Sequence, residues 1–169
     1  YYLNDTFPMF IATDQRVSAL RVDTGGLMGP NSRADLAEVG ALVRARINAR
    51  HMEAGVSILD PAQTFIDVDV RIGEDSVIRP LTFLEGQTRI GAGCDVGPAT
   101  RLVDTRLGDG SSVQFSVVAG ARIGREVRVG PYARIRPGTV LADGAYAGGF
   151  VELKNARVGR GSKVPHLAY

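Results

Sequence analysis

Branched aliphatic residues recur every six positions from residue 66 onward, a period that belongs to neither an α-helix nor a single β-strand. With 44% of the residues hydrophobic, seven consecutive matches have a chance probability of about 0.003. The series resumes after a five-residue step at 107, after a four-residue step at 123 and after another five-residue step at 158. Its members are Ile66, Ile72, Ile78, Leu84, Ile90, Val96, Leu102, Leu107, Val113, Ala119, Ile123, Val129, Ile135, Leu141, Ala147, Leu153, Val158 and Val164.

Glycine often follows the aliphatic residue, where a sharp corner favours a positive φ. The pattern resembles the hexapeptide repeat of left-handed parallel β-helices, in which three short strands form a triangular coil of 18 residues. The eighteen positions predict about six coils that stack about 4.8 Å apart. The alternative, an antiparallel sandwich, requires alternation and hairpin turns that are sparse here. We therefore predict a mainly β protein built on a left-handed parallel β-helix over residues 61–169.

A different pattern precedes the repeat. Ser32 and Asp35 have the spacing of a capping box, with Asp in place of Glu, and apolar residues follow at helical intervals. The sequence predicts a long amphipathic linker helix and turn over residues 31–60, which places His51 in solvent. Residues 1–30, with strand-like pieces such as 17–22, are predicted to be the trailing edge of an α/β nucleotidyltransferase domain. Because position 1 is tyrosine, we expect an excerpt of a longer protein.

The composition limits the classes of partner. A net charge of +2 gives no field strong enough to indicate nucleic acid. No apolar run approaches the length of about 20 residues that spans a bilayer, so no membrane partner is expected. The single cysteine, Cys94, fits a reducing cytoplasm and is predicted to lie in the core.

Stacking residues 18 apart predicts a charged site late in the repeat. Tyr132 then lies over Phe150, Arg134 over Glu152, and Arg136 over Lys154. Two cations one rung apart repel by at most about 3 to 4 kcal/mol at an effective dielectric constant of 20. Either an anion lies between Arg136 and Lys154 or both side chains turn into solvent. Three further residues of the next coil are expected near the same corner: Lys163, His166 and Tyr169.

Several segments carry a family resemblance: YARIRPG at 132–138, FVELKN at 150–155, KVPHLAY at 163–169 and GPNSR at 29–33. They resemble N-acetylglucosamine-1-phosphate uridyltransferase/glucosamine-1-phosphate N-acetyltransferase, a bifunctional family. The resemblance implies that Arg136 and Lys154 bind the sugar phosphate, that His166 is the acetyl-transfer base and that Tyr169 contacts the sugar. By position, Asn31 binds magnesium and the nucleotide-sugar, although Pro30 and Ser32 depart from the family's GVNNR.

The resemblance also implies substrates and an assembly. Acetyl-CoA acetylates glucosamine 1-phosphate, and UTP with Mg²⁺ converts the product into UDP-N-acetylglucosamine, a cell-wall precursor. The implied protein is a cytoplasmic homotrimer, and this chain alone is expected to be inactive. An alternative enzyme is a sugar-phosphate nucleotidyltransferase whose β-helix serves only for oligomerisation.

Overall fold

Short parallel β-strands wind into a three-sided solenoid in the computed structural model, which describes residues 2–21 and 29–169. The chain divides into two compact units, residues 1–36 and residues 37–169. The second unit contains all of the strands found among the described residues and makes about six coils, with one strand of each coil in each of three sheets. This is the parallel β-helix that the six-residue period predicts.

Each strand is followed in its sheet by the strand three places later in the chain, because three strands complete one coil. Sheet A comprises β1 (Ser57–Ile58), β4 (Val77–Ile78), β7 (Asp95–Val96), β10 (Ser112–Val113), β13 (Arg128–Val129), β16 (Tyr146–Ala147) and β19 (Lys163–Val164). Sheet B comprises β2 (Thr64–Ile66), β5 (Thr82–Glu85), β8 (Thr100–Val103), β11 (Val117–Ala119), β14 (Arg134–Ile135) and β17 (Glu152–Leu153). Sheet C comprises β3 (Arg71–Ile72), β6 (Arg89–Ile90), β9 (Arg106–Leu107), β12 (Arg122–Ile123), β15 (Val140–Leu141) and β18 (Arg157–Val158).

The register corrects one position of the predicted series. Val118, not Ala119, is the inward residue of β11, because Val118 pairs with Leu102 in one neighbouring strand and with Ile135 in the other. Val118 is fully buried, whereas Ala119 is only half-buried. Three consecutive small apolar residues made the sequence ambiguous here. The shortened steps lie at the corners, which absorb a missing residue while the strands stay paired.

The interior alternates aliphatic side chains with small residues that bond to the backbone at the corners. The Ser76 hydroxyl donates to the Gly91 carbonyl at 2.9 Å and accepts from the Cys94 amide at 3.1 Å. The Ser111 hydroxyl makes the same pair of contacts with the Gly124 carbonyl and the Val127 amide. Buried backbone groups that the sheets do not pair are thereby satisfied. A serine or threonine at these corners is therefore as structural as an aliphatic residue.

The first unit contains two short helical segments and, among its described residues, lacks the predicted strand. A 3₁₀ turn covers Leu3–Asp5, and helix α1 covers Thr6–Ala12. Residues 17–21 have no regular secondary structure, which makes the strand prediction wrong for them, and Val22 lies outside the described residues. None of the described residues between 2 and 21 is buried.

Helix α2 covers Arg33–Glu53 and confirms the long helix predicted there. The predicted capping box also forms: the Asp35 backbone amide donates to the Ser32 hydroxyl at 3.1 Å, and the Ser32 backbone amide donates to the Asp35 carboxylate at 3.0 Å. These bonds and one from the Asn31 amide lower the pKa of Asp35. The predicted apolar face is largely exposed, however, as Leu36 and Val43 show.

The residues of α2 that are buried are polar. Asn48 is fully buried, and its amide nitrogen donates to the carbonyls of Pro61 at 2.9 Å and Thr64 at 3.1 Å. His51 is only 6% exposed, so the prediction that it lies in solvent is wrong. The His51 Nε2 has no partner among the described residues. The end of α2 therefore closes the first coil with polar groups, and this burial lowers the pKa of His51, helped by Arg50 and Arg71.

We expect the stability of the chain to depend on pH through His51. Because the folded-state pKa lies below the ordinary value of 6.5, the stabilising contribution is complete above pH 6.5 and is lost as the pH falls toward the folded pKa. Urea unfolding should show a smaller free energy of unfolding at pH 5.5 than at pH 7.5. His51→Gln should reduce that difference, while His166→Gln, at an exposed position, should leave it unchanged. If the free energy of unfolding depends on pH equally in both variants, the assignment of this dependence to His51 is wrong.

Candidate functional site

Arg136, Lys154 and Glu152 lie together where sheet B turns toward sheet C. Arg136 follows β14, and its amide donates to the Leu153 carbonyl at 2.8 Å, which places its main chain beside Lys154 in the next coil. The predicted stacking of these two residues is therefore present in the backbone. Lys154 is exposed, and the parallel register also places Arg134 beside Glu152 as expected.

The charge pairing differs from the expectation. The Arg136 guanidinium donates from Nη1 to Oε1 of Glu152 at 3.0 Å, with both side chains about 40% exposed (39% and 41%). A carboxylate of the protein thus already neutralises part of the positive charge that the stacked cations create. Among the described residues, the Lys154 ammonium has no carboxylate within ion-pair distance. A bound anion would meet Lys154 directly and would share Arg136 with Glu152.

The segment that carries His166 and Tyr169 stacks on the coil above it through backbone hydrogen bonds. The Leu167 amide donates to the Gly149 carbonyl at 3.1 Å, and the Glu152 amide donates to the Ala168 carbonyl at 2.8 Å. Tyr169 therefore follows Arg134 and Glu152 in the outward row of sheet B, and both His166 and Tyr169 are exposed. Gly148 permits this approach, because a Cβ there would overlap the Pro165 carbonyl oxygen.

The predicted residues spread across one side of the solenoid rather than gathering at a single corner. His166 lies level with Gly149, five residues before Lys154 along the coil, a span of at most about 16 Å. Lys163 belongs to β19 in sheet A, where it pairs with Tyr146. The outward side of sheet B therefore has a cationic end at Lys154 and an imidazole at its other end.

An apolar row occupies the corner between sheets A and B, beside His166. All six of its residues have positive φ values, between 46° and 61°. The left-handed conformation costs a non-glycine residue about 1–2 kcal/mol, so the side chains are held there against a local preference. Tyr132 stacks on Phe150 at a centroid distance of 5.0 Å and contacts Phe115 at 5.7 Å. We call the set the apolar corner: Leu81, Ala99, Phe115, Tyr132, Phe150 and Leu167.

A depression of ≈ 440 Å³ lies next to the apolar corner on sheet B. It is lined by Phe115, Val117, Tyr132, Ala133 and Arg134. Sequence reasoning had not assigned Phe115 or Val117 to a site, nor Glu152 as the partner of Arg136. The recurrence of aromatic residues at 115, 132 and 150, at intervals of 17 and 18, is the signal that could have identified the row.

The described residues do not assemble a metal site around Asn31. Asn31 is exposed, and its backbone amide donates to the Asp35 carboxylate at 2.9 Å. No group of three or more His, Cys, Asp or Glu residues that could hold a metal occurs among residues 2–21 and 29–169. Asn31 alone offers one amide oxygen, which is too few ligands to hold Mg²⁺.

Cys94 lies in the core as predicted, and burial raises the pKa of its thiol. A buried thiol with a raised pKa is a poor nucleophile, so we assign no covalent role to Cys94. Within the described ranges, no helix combines the length and the hydropathy needed to cross a bilayer.

Comparison with known proteins identifies the sequence relatives. No protein-family model matches the chain. The bifunctional protein GlmU of Heliobacterium modesticaldum is 44% identical over all of this chain, and that of Mycobacterium marinum is 47% identical over 99% of it. Along its whole length, the chain is homologous to part of GlmU. It spans about a third of these relatives, 37% and 34% of their respective lengths.

A solved structure supports the fold independently of GlmU sequences. A mutant GDP-perosamine N-acetyltransferase from Caulobacter crescentus, in complex with CoA and GDP-perosamine, superposes with a TM-score of 0.57. The match covers 92% of this chain and 69% of the other at 18% sequence identity. At that identity the likeness establishes a shared solenoid architecture.

Proposed function

We propose that the solenoid carries an acetyl-transfer site that acts on glucosamine 1-phosphate with acetyl-CoA as the donor. The observation that carries the proposal is the exposed side of sheet B, where an unneutralised Lys154 beside Arg136 shares one outward face with Tyr169. A sugar phosphate requires such a combination of cations and hydrogen-bonding groups. The homology to GlmU and the superposition on an N-acetyltransferase that binds CoA support the same reaction.

The proposed roles follow from the position of each group. Arg136 and Lys154 bind the phosphate through charge-assisted hydrogen bonds, and the Glu152 carboxylate holds the Arg136 guanidinium in place. Tyr169 contacts the sugar from the outward row of sheet B. The His166 imidazole, exposed at the apolar corner, accepts a proton from the attacking amine.

The reaction balances with these groups alone. The amine nitrogen of the sugar forms a bond to the thioester carbonyl carbon, and its proton moves to the His166 imidazole. The carbon–sulfur bond then breaks, and the departing CoA thiolate takes up that proton from the imidazole to become the thiol. The acetyl group is transferred without a covalent enzyme intermediate, which agrees with the buried, protonated Cys94.

We also propose that a protein of which this chain is a part uridylates N-acetylglucosamine 1-phosphate. In that reaction UTP and Mg²⁺ give UDP-N-acetylglucosamine, in the cytoplasm, with Asn31 contributing to the nucleotide-sugar and metal site. The family resemblance of residues 29–33 supports this assignment. Because the described residues supply too few ligands, other parts of such a protein must provide the remaining ones.

The test of the proposed function is an assay of both half-reactions on a full-length protein that contains this chain. Release of CoA thiol should require glucosamine 1-phosphate, and pyrophosphate release should require N-acetylglucosamine 1-phosphate, UTP and Mg²⁺. Uridyl transfer without any thiol release would favour the alternative, in which the solenoid serves only for oligomerisation.

We propose further that the protein is a homotrimer whose copies meet at the apolar corner. Exposed contiguous apolar surface commonly marks a protein interface, and Tyr132, Phe150 and Leu167 are 56%, 62% and 72% exposed. The row runs parallel to the solenoid axis. A three-fold axis along it would bring the same row from each copy together, which a closed symmetric assembly requires.

Tyr132→Asp with Phe150→Asp should raise the concentration at which trimers dissociate by about tenfold or more, because each substitution places an unpaired charge in an apolar contact. Analytical ultracentrifugation over a dilution series measures this. Val68→Asp, at a 61% exposed position outside the apolar corner, is the control and should leave the assembly unchanged. Equal effects of both variants would contradict the corner assignment.

A further inference from the structure

Sheet C carries a row of arginines on its outward side. The parallel register pairs Arg71 with Arg89, Arg89 with Arg106, and Arg106 with Arg122. Adjacent strands lie about 4.8 Å apart, so these four guanidinium-bearing positions form a straight line about 14 Å long. We call them the arginine row. All four residues are exposed.

The charges of the arginine row are not neutralised within the described chain. Four ion pairs link arginines to carboxylates there: Arg79 with Asp95, Arg101 with Glu85, Arg136 with Glu152, and Arg160 with Asp143. None of these includes a member of the arginine row. Like charges one rung apart disfavour each other, and water and salt only partly screen the repulsion.

A line of glycines runs beside the arginine row. Gly91, Gly108 and Gly124 are each two residues after a member of the row. They have no side chain because the coils approach closely: a Cβ on Gly108 would lie 2.6 Å from Gly124 backbone atoms. A shallow depression of ≈ 400 Å³ is lined by Arg89, Gly91, Arg106 and Gly108 among others.

We propose that the arginine row and its glycine floor form a docking groove for a protein α-helix with carboxylates along one face. The groove lies on sheet C, whereas the proposed acetyl-transfer site lies on sheet B. Glutamates or aspartates at successive turns would each meet one arginine, which forks toward a carboxylate with two hydrogen bonds. The surface is thus an interaction site for an acidic partner, separate from the proposed catalysis.

The spacing of the row favours a helix over other polyanions. An α-helix repeats every 5.4 Å, about the same as the rung spacing of 4.8 Å, so three turns stay nearly in step with the row. Phosphates in one strand of a nucleic-acid duplex recur every 3.4 Å along its axis and fall out of step. The net charge of +2 also provides little of the long-range attraction that nucleic-acid binding uses. The outward rows of sheets A and B contain no acidic row that a second copy could offer within the described residues.

The probe is a synthetic helical peptide of about five turns with glutamates at alternating intervals of three and four residues, which lie on one face. Fluorescence anisotropy should detect its binding to the 169-residue chain and a strong loss of affinity with added salt. Arg89→Gln with Arg106→Gln should raise the Kd about tenfold and flatten the salt dependence, because two charge-assisted contacts are removed.

The matched control is Arg46→Gln with Arg128→Gln, which removes the same charge from exposed positions on α2 and sheet A. It should change the Kd by less than about twofold. Circular dichroism should show both double variants folded. Equal weakening by the control would overturn the proposal, as would equal binding of a peptide with the same glutamates scattered around the helix. Tighter binding of a single-stranded oligonucleotide than of the peptide would also overturn it.

Discussion

His166→Ala should lower kcat for acetylation by about a hundredfold to ten-thousandfold, the range typical of a lost general base. The amine of glucosamine 1-phosphate must lose a proton to become bonded to the thioester carbon, and a neutral imidazole accepts protons well near pH 7. His166 is exposed at the end of the outward side of sheet B, so it is not part of the packed interior of the solenoid. The measurement is CoA thiol release by the full-length protein.

The uridyl-transfer rate of the same preparation is the internal control and should stay near normal. A thermal melt and a sedimentation run on that preparation separate catalysis from structure. A histidine that only stabilised the chain would lower the melting midpoint or the trimer content instead. A folded trimer of the variant that acetylates at the normal rate would end the assignment of His166 as the base.

The second large effect is expected at the cationic end of the same face. Arg136→Ala and Lys154→Ala should each weaken binding of the sugar phosphate by about 2 kcal/mol or more, because each removes a charge-assisted contact. This corresponds to a rise of about thirtyfold in the KM for glucosamine 1-phosphate. Uridyl transfer should be spared. Unchanged acetylation constants in either variant would show that this pair does not bind the substrate.

Glu152→Gln tests the ion pair between Glu152 and Arg136, which lies beside the proposed phosphate site. The neutral amide of glutamine no longer competes with the substrate phosphate for Arg136. The substitution also removes the ion pair that orients the Arg136 guanidinium. Combining it with Arg136→Ala in a double-mutant cycle measures the coupling between the two side chains. Strong coupling is expected for that pair, whereas Glu152→Gln and Val68→Asp should act independently.

The repeat made the solenoid predictable, because every coil buries its aliphatic residues in the same way. The long helix and its capping box were also evident, since Ser32 and Asp35 determine the local hydrogen bonds. The helical spacing of the apolar residues did not reveal which residues of α2 are buried. Asn48 faces the first coil because that end of the solenoid offers carbonyl groups, such as that of Thr64, which an apolar side chain could not satisfy.

The candidate site was predictable only in part. The repeat spacing placed Arg136 beside Lys154. Which group a side chain contacts depends on the length of the side chain as well as on the strand register. The Arg136 guanidinium extends to Glu152, two positions before Lys154, the residue that lies beside Arg136 in the next coil. The inward residue of β11 is Val118 rather than the predicted Ala119 for a related reason. A corner can lose a residue while the composition of the strand that follows stays the same, so the sequence does not show where the step is shortened.

The corners that absorb missing residues affect how positions correspond between related chains. Leu84 and Leu102 are neighbours 18 residues apart, whereas Leu102 and Val118 are neighbours at a separation of 16. A relative that shortens a different corner would keep every rung but would need single-residue gaps when its sequence is aligned with this one. Numerical offsets would then pair the wrong side chains in the stretch between the two shortened corners. Transferring a stacked pair such as Arg136 and Lys154 to another protein therefore requires counting rungs rather than residues.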